Sequence, residues 1–542
     1  MRSRLAVVGL SAMLVVGTAA TAVAQDDVTT LRVARLPDFI PIIHPVQVGT
    51  GNQEIMANLL FSNLVSVASD EVTILPDAAA SWDVSPDATV YTFTLDERAR
   101  WQDGEPLTTQ DVLYTICWAA QNPDAYKQLG IASWLAVKGS AAVKGLTGLD
   151  NCPEGLNVID ERTIEITLDT PNSVWLRNVT NNPYFILPYH LLKDLTAAEA
   201  ETCEWCVGTP GVTIGSGPYK ITKALDDGGG EFEADPTYWQ LDGKPVDIDK
   251  IVYRIQEPAV TIAQLEAGEL DLAIRVPADA FERLSNVPGL VAEIGEGVGI
   301  FSLAFNNTSI ADPRIRRAIA YAIDRPAIIN TILQGQAKEN FCGLPPAFPL
   351  TPEMDQCTFD PEAAKALLAE AAWDPERVFR ISYPQDSSQF AIVMPVIQQY
   401  LQDVGIKVEL IGEDSTAFIA RLDQPDTWDA YGSFGGSEGV SWARSEEYYA
   451  CNAGSNYMQI PEAECTYSDM FKNVASKGVP ADFDAALNEL GTKLSQDVRQ
   501  VYLWQPAYLH AYTDRLGGGF IIYPNERESF ETVEGWTMAP AP

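Results

Sequence analysis

Eight cysteines, three histidines and 74 carboxylates are the side chains through which redox, metal or acid–base chemistry would run in this chain. The cysteines stand at 117, 152, 203, 206, 342, 357, 451 and 465. An even number suits disulfides in an oxidising compartment, although eight cysteines formally allow about 105 connectivities. Pairing neighbours in sequence joins Cys117 to Cys152, Cys203 to Cys206, Cys342 to Cys357 and Cys451 to Cys465. The CEWC run at 203–206 also has redox spacing, but a thioredoxin-like site opens a helix within a βαβ unit, and here the turn-rich VGTPG follows. A structural zinc site needs a second ligand pair at suitable spacing, and none is evident. His44, His190 and His510 are too scattered to assemble a ligand set, so no metal and no other cofactor is expected. The glycines of GSGPYK (215–220) lack the Gly-Lys-Ser/Thr of a phosphate loop. DDGGGEFE (226–233) lacks the ligand spacing of an EF-hand and reads as a hairpin turn. Carboxylate pairs for glycoside hydrolysis need a defined separation that sequence does not display. No His-Glu-x-x-His helix occurs.

The elements that would position any site are mixed. Tyr91, Phe93 and Leu95 alternate with threonines in VYTFTL (90–95), and Ile164, Ile166 and Leu168 alternate in TIEITL (163–168), so both read as half-buried strands. Thr108 or Thr109 can cap a helix running to Ala120, and PYHLLKDL (188–195) opens a shorter one. Further on, Asp312 caps and Pro313 starts a helix expected to run through Leu333, with Ile315, Ala318, Ile319, Ala322 and Ile323 on one face. Asp360 and Pro361 begin another, with Ala364, Leu367, Leu368 and Ala371 as its buried stripe. FRISYP (379–384), a helix over 390–403 and IKVELIG (406–412) form a β-α-β unit, which implies a parallel sheet.

Length and charge bound the rest. At about 150 residues per domain, 542 residues make three or four domain-sized units. A formal charge of −38 excludes a nucleic-acid surface and electrostatic attachment to anionic lipid. Residues 1–24 read as a secretory signal: Arg2 and Arg4, an apolar run over 5–16, then small residues before a cleavage expected after Ala24. No cysteine near that point suggests a lipid anchor. A soluble protein outside the cytoplasm, periplasmic or secreted, is expected.

Six blocks, in order, resemble the extracytoplasmic solute-binding proteins of ATP-driven (ABC) importers, family 5, the peptide, oligopeptide and nickel class. They are AASWDVSPDATVYTFTLDERARWQDGEPLTTQDVLYTI (79–116), IGSGPYKI (214–221), DPTYWQLDGKPVDIDKIVYRI (235–255), LEAGELDLAI (265–274), FNNTSIADPRIRRAIAYAIDRPAIINTILQGQA (305–337) and FDPEAAKALLAEA (359–371). The resemblance implies an α/β, two-lobed periplasmic-binding-protein fold of the class with an extra subdomain, its lobes joined by a hinge. Lobe one would comprise 25–283 completed by 509–542, and lobe two 284–508. The chain would cross near 277–299 and return near 504–512. It implies a monomer that is not an enzyme, that closes over a peptide-like or other polar organic solute and delivers it to permease subunits in the membrane. A secreted hydrolase of peptides or glycosides, or a solute sensor on the same scaffold, is the alternative.

The same resemblance points to binding residues. The turn LPDFIPIIHP (36–45) faces the cleft in this class, which makes Asp38, Phe39 and His44 candidates. In WDAYGSFGGSEGVSWARSEEYY (428–449), Tyr431, Phe434 and Trp442 are candidate aromatic walls. Peptide-binding relatives carry an acid for the peptide amino terminus in this stretch. Here Ser437 stands at that place and Glu438 follows it. Some dipeptide-binding relatives carry an arginine after the strand at 379–384, where this chain has Gln385 and Asp386. A ligand carboxylate would then need another cation, such as Arg421 or Arg444, or the ligand is longer or less charged.

Overall fold

Short runs rich in valine, isoleucine and aromatics supply twelve strands that hydrogen-bond into one continuous sheet. In the computed structural model the described residues are 28–36, 51–70, 73–123, 134–180, 185–196, 199, 203–241, 243–297, 299–340, 351–435, 449, 458–461, 465–477, 480–524 and 528–540. The strands are β1 (Thr30–Arg35), β2 (Tyr219–Ala224), β3 (Gly230–Ala234), β4 (Lys250–Ile255), β5 (Leu272–Ile274) and β6 (Leu290–Glu296). They continue with β7 (Ile300–Phe305), β8 (Ala337–Glu339), β9 (Val378–Pro384), β10 (Lys407–Glu413), β11 (Ala430–Gly435) and β12 (Gln500–Thr513). Their order is β10-β9-β11-β7-β12-β5-β1-β4-β3-β2, with β6 and β8 also paired to β12.

Strand β12 decides the architecture. Its first half pairs with β7 (Trp504 opposite Phe301, Val501 opposite Leu303), and its second half pairs with β5 and β6 (Ala511 opposite Ala273 and Ala292). The apolar cores divide at the same place. Val501, Leu503 and Trp504 belong to a core built from residues 301–504, whereas Leu509 and Ala511 join a core with Ala34, Leu270 and Leu284. A second core of the 301–504 part packs Trp428, Tyr431 and Phe471, and the largest core of the other part runs from Leu31 to Ile274 and takes in Phe530, Val533 and Trp536. Beside it, strands 79–84, 90–95, 163–167 and 156–158 form a separate four-stranded antiparallel sheet.

Two crossings connect the parts: β12 itself, and the link from β6 to β7. Gly297 sits in that link because a Cβ there would lie 2.6 Å from the Pro506 carbonyl oxygen and 2.9 Å from the Tyr508 ring. The Gln505 amide also donates to the Gly297 carbonyl. A side chain at 297 would therefore push the two crossing segments apart.

Helix α1 (Thr109–Gln121) begins with a capping box, Thr108 accepting from Gln110 N at 3.3 Å and Asp111 accepting from Thr108 N at 2.8 Å. Helix α2 (Pro313–Ala322) is capped by Asp312 and buries Ile315, Ala318, Ile319 and Ala322. It does not continue to Leu333 as the periodicity suggests. Asp324 caps a new start at Ala327 N, Pro326 removes a donor and disfavours helical geometry before it, and a π-helical turn follows at Ile328–Ile332. Helices α3 (Pro361–Glu370) and α4 (Ser388–Asp403) and the parallel pair β9–β10 form as the sequence suggests. The glycines of GSGPYK have a different reason from the one their sequence suggests: neither Gly215 nor Gly217 has a positive φ, and both lie against the Leu59–Phe61 backbone.

Disulfides join Cys117 to Cys152 and Cys203 to Cys206. Cys357 and Cys465 are also disulfide-bonded, while Cys342 and Cys451 lie outside the described residues.

Candidate functional site

A ligand can drive two lobes together only if it touches both, so the site is sought where β12 passes between them. A cavity of about 540 Å3 opens there. Leu36 at the end of β1 and Arg275 just after β5 line it from one part. Gln334 and Gln336 before β8, with Gln389 and Ile392 in the first turns of α4, line it from the other. Tyr508 of β12 stands between them. The carboxyl ends of β1 and β5 thus face the cavity, the usual placement of ligands in open α/β sheets. A larger cavity of about 690 Å3 lies against α1, walled by Trp118, Tyr114 and Tyr189. It is contained within one part of the molecule and is crossed by neither link, so it cannot couple to closure.

An aromatic stack leads to the cavity on the side of the second lobe. Phe434, at the end of β11, is 46% exposed, and its ring centroid is 4.6 Å from that of Phe301. Phe301 stacks on Trp504 at 5.0 Å and 14°. The Trp504 Nε1 donates to Gln389 Oε1 at 3.0 Å, which fixes the orientation of a cavity-lining amide. Arg275 has a backbone φ of 62°, and its guanidinium carbon lies 3.8 Å from the centroid of the Tyr508 ring.

The sequence candidates are distributed unevenly. Phe434 is presented outward. Tyr431 is not: it is 4% exposed and packs edge-on to Trp428 at 5.3 Å, because β11 runs between β9 and β7 with both faces covered. Gln385 is exposed at the carboxyl end of β9, its backbone N donating to Glu413 O at 2.7 Å. Asp386 beside it caps the helix α5 (Ser415–Leu422), accepting from Ser415 N at 2.9 Å and Ser415 Oγ at 2.8 Å, bonds that lower its pKa. Arg421 does not reach toward the cavity. Its guanidinium is held bidentate on Glu413 at 2.5 Å, which raises the pKa of Arg421 and lowers that of Glu413. Asp38, Phe39, His44, Ser437, Glu438, Trp442 and Arg444 lie outside the described residues. Sequence reasoning missed Arg275, Tyr508 and the three glutamines; the available signal was a lone cation after the apolar run Leu272–Ile274, followed by Pro277. Among the described residues, no group of three or more His, Cys, Asp or Glu is placed to hold a metal, and no helix is long and apolar enough to cross a membrane.

Comparison with known proteins gives this geometry a context. The family model for bacterial extracellular solute-binding proteins, family 5 (middle region), matches residues 73–456. A putative ABC transporter peptide-binding protein of Brucella ovis is 29% identical over 491 residues, covering 89% of this chain and 85% of its own. The dipeptide-binding protein DppE of Bacillus subtilis is 28% identical over 275 residues, about half of each chain (50% and 48%). Among solved structures, a putative peptide-binding protein AppA from Clostridium difficile superposes with a TM-score of 0.78 at 19% identity, covering 94% of this chain and 100% of that one. NikZ from Campylobacter jejuni, in complex with Ni(L-His), gives 0.74 at 18% identity, covering 94% and 99%. At such identities the structures speak for the fold, which is that of two-lobed periplasmic binding proteins.

Proposed function

The chain belongs to the bacterial extracellular solute-binding proteins of family 5, and from that membership we propose that it captures a peptide-like or other polar organic solute between its lobes and delivers it to an ABC importer. The observation that carries the reading is a cavity lined from both parts of the molecule at the strand they share. A solute seated there gains contacts with both lobes only when they approach. Moving a 1:99 open equilibrium to 99:1 takes about 5.5 kcal/mol of differential affinity.

The division of the apolar cores supports lobes of 25–283 with 509–542, and of 284–508. Because β6 pairs with the second half of β12, the crossing falls at Gly297, within the expected 277–299 stretch, and β6 moves with the first lobe. We read residues 1–24 as an export signal, the mature protein as a periplasmic or secreted monomer, and its permease as the membrane partner.

Binding without chemistry completes the reading. The run Gly435–Gly439 does have the Gly-x-Ser-x-Gly spacing of a hydrolase elbow, which would favour the alternative. An elbow serine needs a histidine base. His190 is paired with Asp103 at 2.9 Å, and His510 is buried in β12 opposite Glu293, on the first-lobe half of that strand, whereas Ser437 follows β11 in the second lobe.

The test is to denature the purified protein, identify the released small molecule by mass spectrometry and add it back. We expect a higher Tm and a smaller radius of gyration, with the solute recovered intact. An unchanged scattering profile, or a solute recovered cleaved, would refute the proposal. Phe434→Ala should weaken the affinity for that solute about tenfold by calorimetry while lowering the Tm of the empty protein by no more than about 3 °C, since the ring is half exposed before closure.

A further inference from the structure

Arg275 is the one charged side chain among the described residues lining the interlobe cavity. Its backbone φ of 62° lies in the left-handed region, which a residue with a side chain occupies only where its surroundings hold it. Gln334, at φ 53°, lines the same cavity from the other lobe. Seven described residues other than glycine have a positive φ, so two of them meeting at one cavity marks it as a place where backbone preference yields to function.

The chemistry of this wall is specific. Tyr508 covers a face of the guanidinium at 3.8 Å, and stacking engages that face rather than the N–H edge. A planar fork of donors matches a carboxylate bidentately. Around it, the amides of Gln334, Gln336 and Gln389 each offer a donor and an acceptor, the complement of a peptide group. The chain carries a formal charge of −38, so an anionic solute enters against the general field and needs a local cation. Arg421 is committed to Glu413 and leaves that role to Arg275.

Resting on the solute-capture reading, we propose that Arg275 receives a carboxylate of the solute, so that the cleft selects peptide-like solutes with a free acid end and orients that end toward the crossing strand. Tyr508 holds the guanidinium in place and belongs to β12, so the ion pair forms on the strand both lobes share.

Native mass spectrometry of the intact protein tests this with four probe sets. They are an equimolar mixture of tri- to pentapeptides with free carboxyl termini, the same mixture amidated, a set of N-acetyl amino acids, and their primary amides. The wild type is expected to retain the free acids at least about tenfold over the amides. Arg275→Gln should erase that preference, and Arg275→Lys should keep part of it, having the charge without the fork. Equal retention of acids and amides by the wild type overturns the proposal without reference to any variant, and so does an Arg275→Gln protein that keeps the preference. If the peptides are ignored but the N-acetyl amino acids are preferred over their amides in an Arg275-dependent way, the carboxylate assignment stands and the peptide reading falls. Retention of none of the four sets overturns both.

Discussion

Asp271→Ala is expected to destabilise the first lobe by about 3–5 kcal/mol while leaving the second lobe intact. The Asp271 side chain is 1% exposed and gathers three chain segments. Its Oδ2 accepts from Arg32 N at 2.9 Å and Arg32 Nε at 2.7 Å, and its Oδ1 accepts from Arg32 Nη2 at 2.9 Å and Arg515 Nη2 at 2.6 Å. One carboxylate thus ties β1 to β5 and fixes the turn leaving β12. Its removal leaves two guanidiniums, the Arg515 side chain only 18% exposed, without their counter-ion, and that residual desolvation makes breaking a buried pair far costlier than never having built it. The second lobe repeats the device: Asp429, 2% exposed, holds Arg377 and Arg380 at 3.1 Å each. A two-lobed protein need not unfold in one step, so the readout is hydrogen exchange by segment. Asp271→Ala should deprotect β1, β4 and β5 and spare β9 and β10, and Asp429→Ala should do the reverse. Equal deprotection of both sets of strands would show that the cores do not unfold separately and that the buried aspartates are not local clamps.

The readable and unreadable parts of this chain differ in the range of the physics behind them. Alternation in 90–95 and 163–167, and the caps at Thr108, Asp312 and Asp360, are set by residues a few places apart, and they form as read. The helix expected to run to Leu333 fails for an equally local reason, since Asp324, Arg325 and Pro326 encode a stop and restart that the apolar stripe outweighed in the reading. Tyr431 was legible as an aromatic but not as a core residue, because strand alternation separates two faces and says nothing of a strand covered on both. The cavity was the least legible. Arg275, Gln389 and Tyr508 meet across more than two hundred positions, and neither their spacing nor their types announce it. Family resemblance directed attention to the turn after β1 and the stretch after β11, and so away from the segment after β5.

Stability should fall as pH rises from about 5 to 8, and a single buried acidic pair should account for much of the slope. Burial raises the pKa of Asp77 to about 7, with the nearby Glu534 adding to the rise. Burial likewise raises Glu534 to about 7. Asp77 accepts from Asn63 N at 2.6 Å and Gln240 Nε2 at 3.0 Å, neutral donors that compensate only in part. The other titratable groups whose fields reach the pair are Tyr238 and Tyr219, with Asp247 and Asp249 behind the latter, and none of these brings a positive charge. In the unfolded chain such carboxyls titrate near pH 4, so between about 4 and 7 the folded state binds more protons, and stability declines as pH rises through that window. A carboxyl titrating across it contributes on the order of 4 kcal/mol. Asp429, whose arginine partners hold its pKa low, acts oppositely: its stabilisation is present above the unfolded value and is lost as pH falls toward the folded one. The maximum should therefore lie near pH 5. General repulsion in so acidic a chain also grows with pH, so the decisive comparison is with Asp77→Asn/Glu534→Gln, which removes only two of 74 carboxylates. Thermal denaturation across pH 4–9 should show the double variant losing most of the decline and becoming more stable than the wild type at pH 8. Two parallel profiles would mean that the pair is solvated or otherwise compensated, and that the slope comes from the surface.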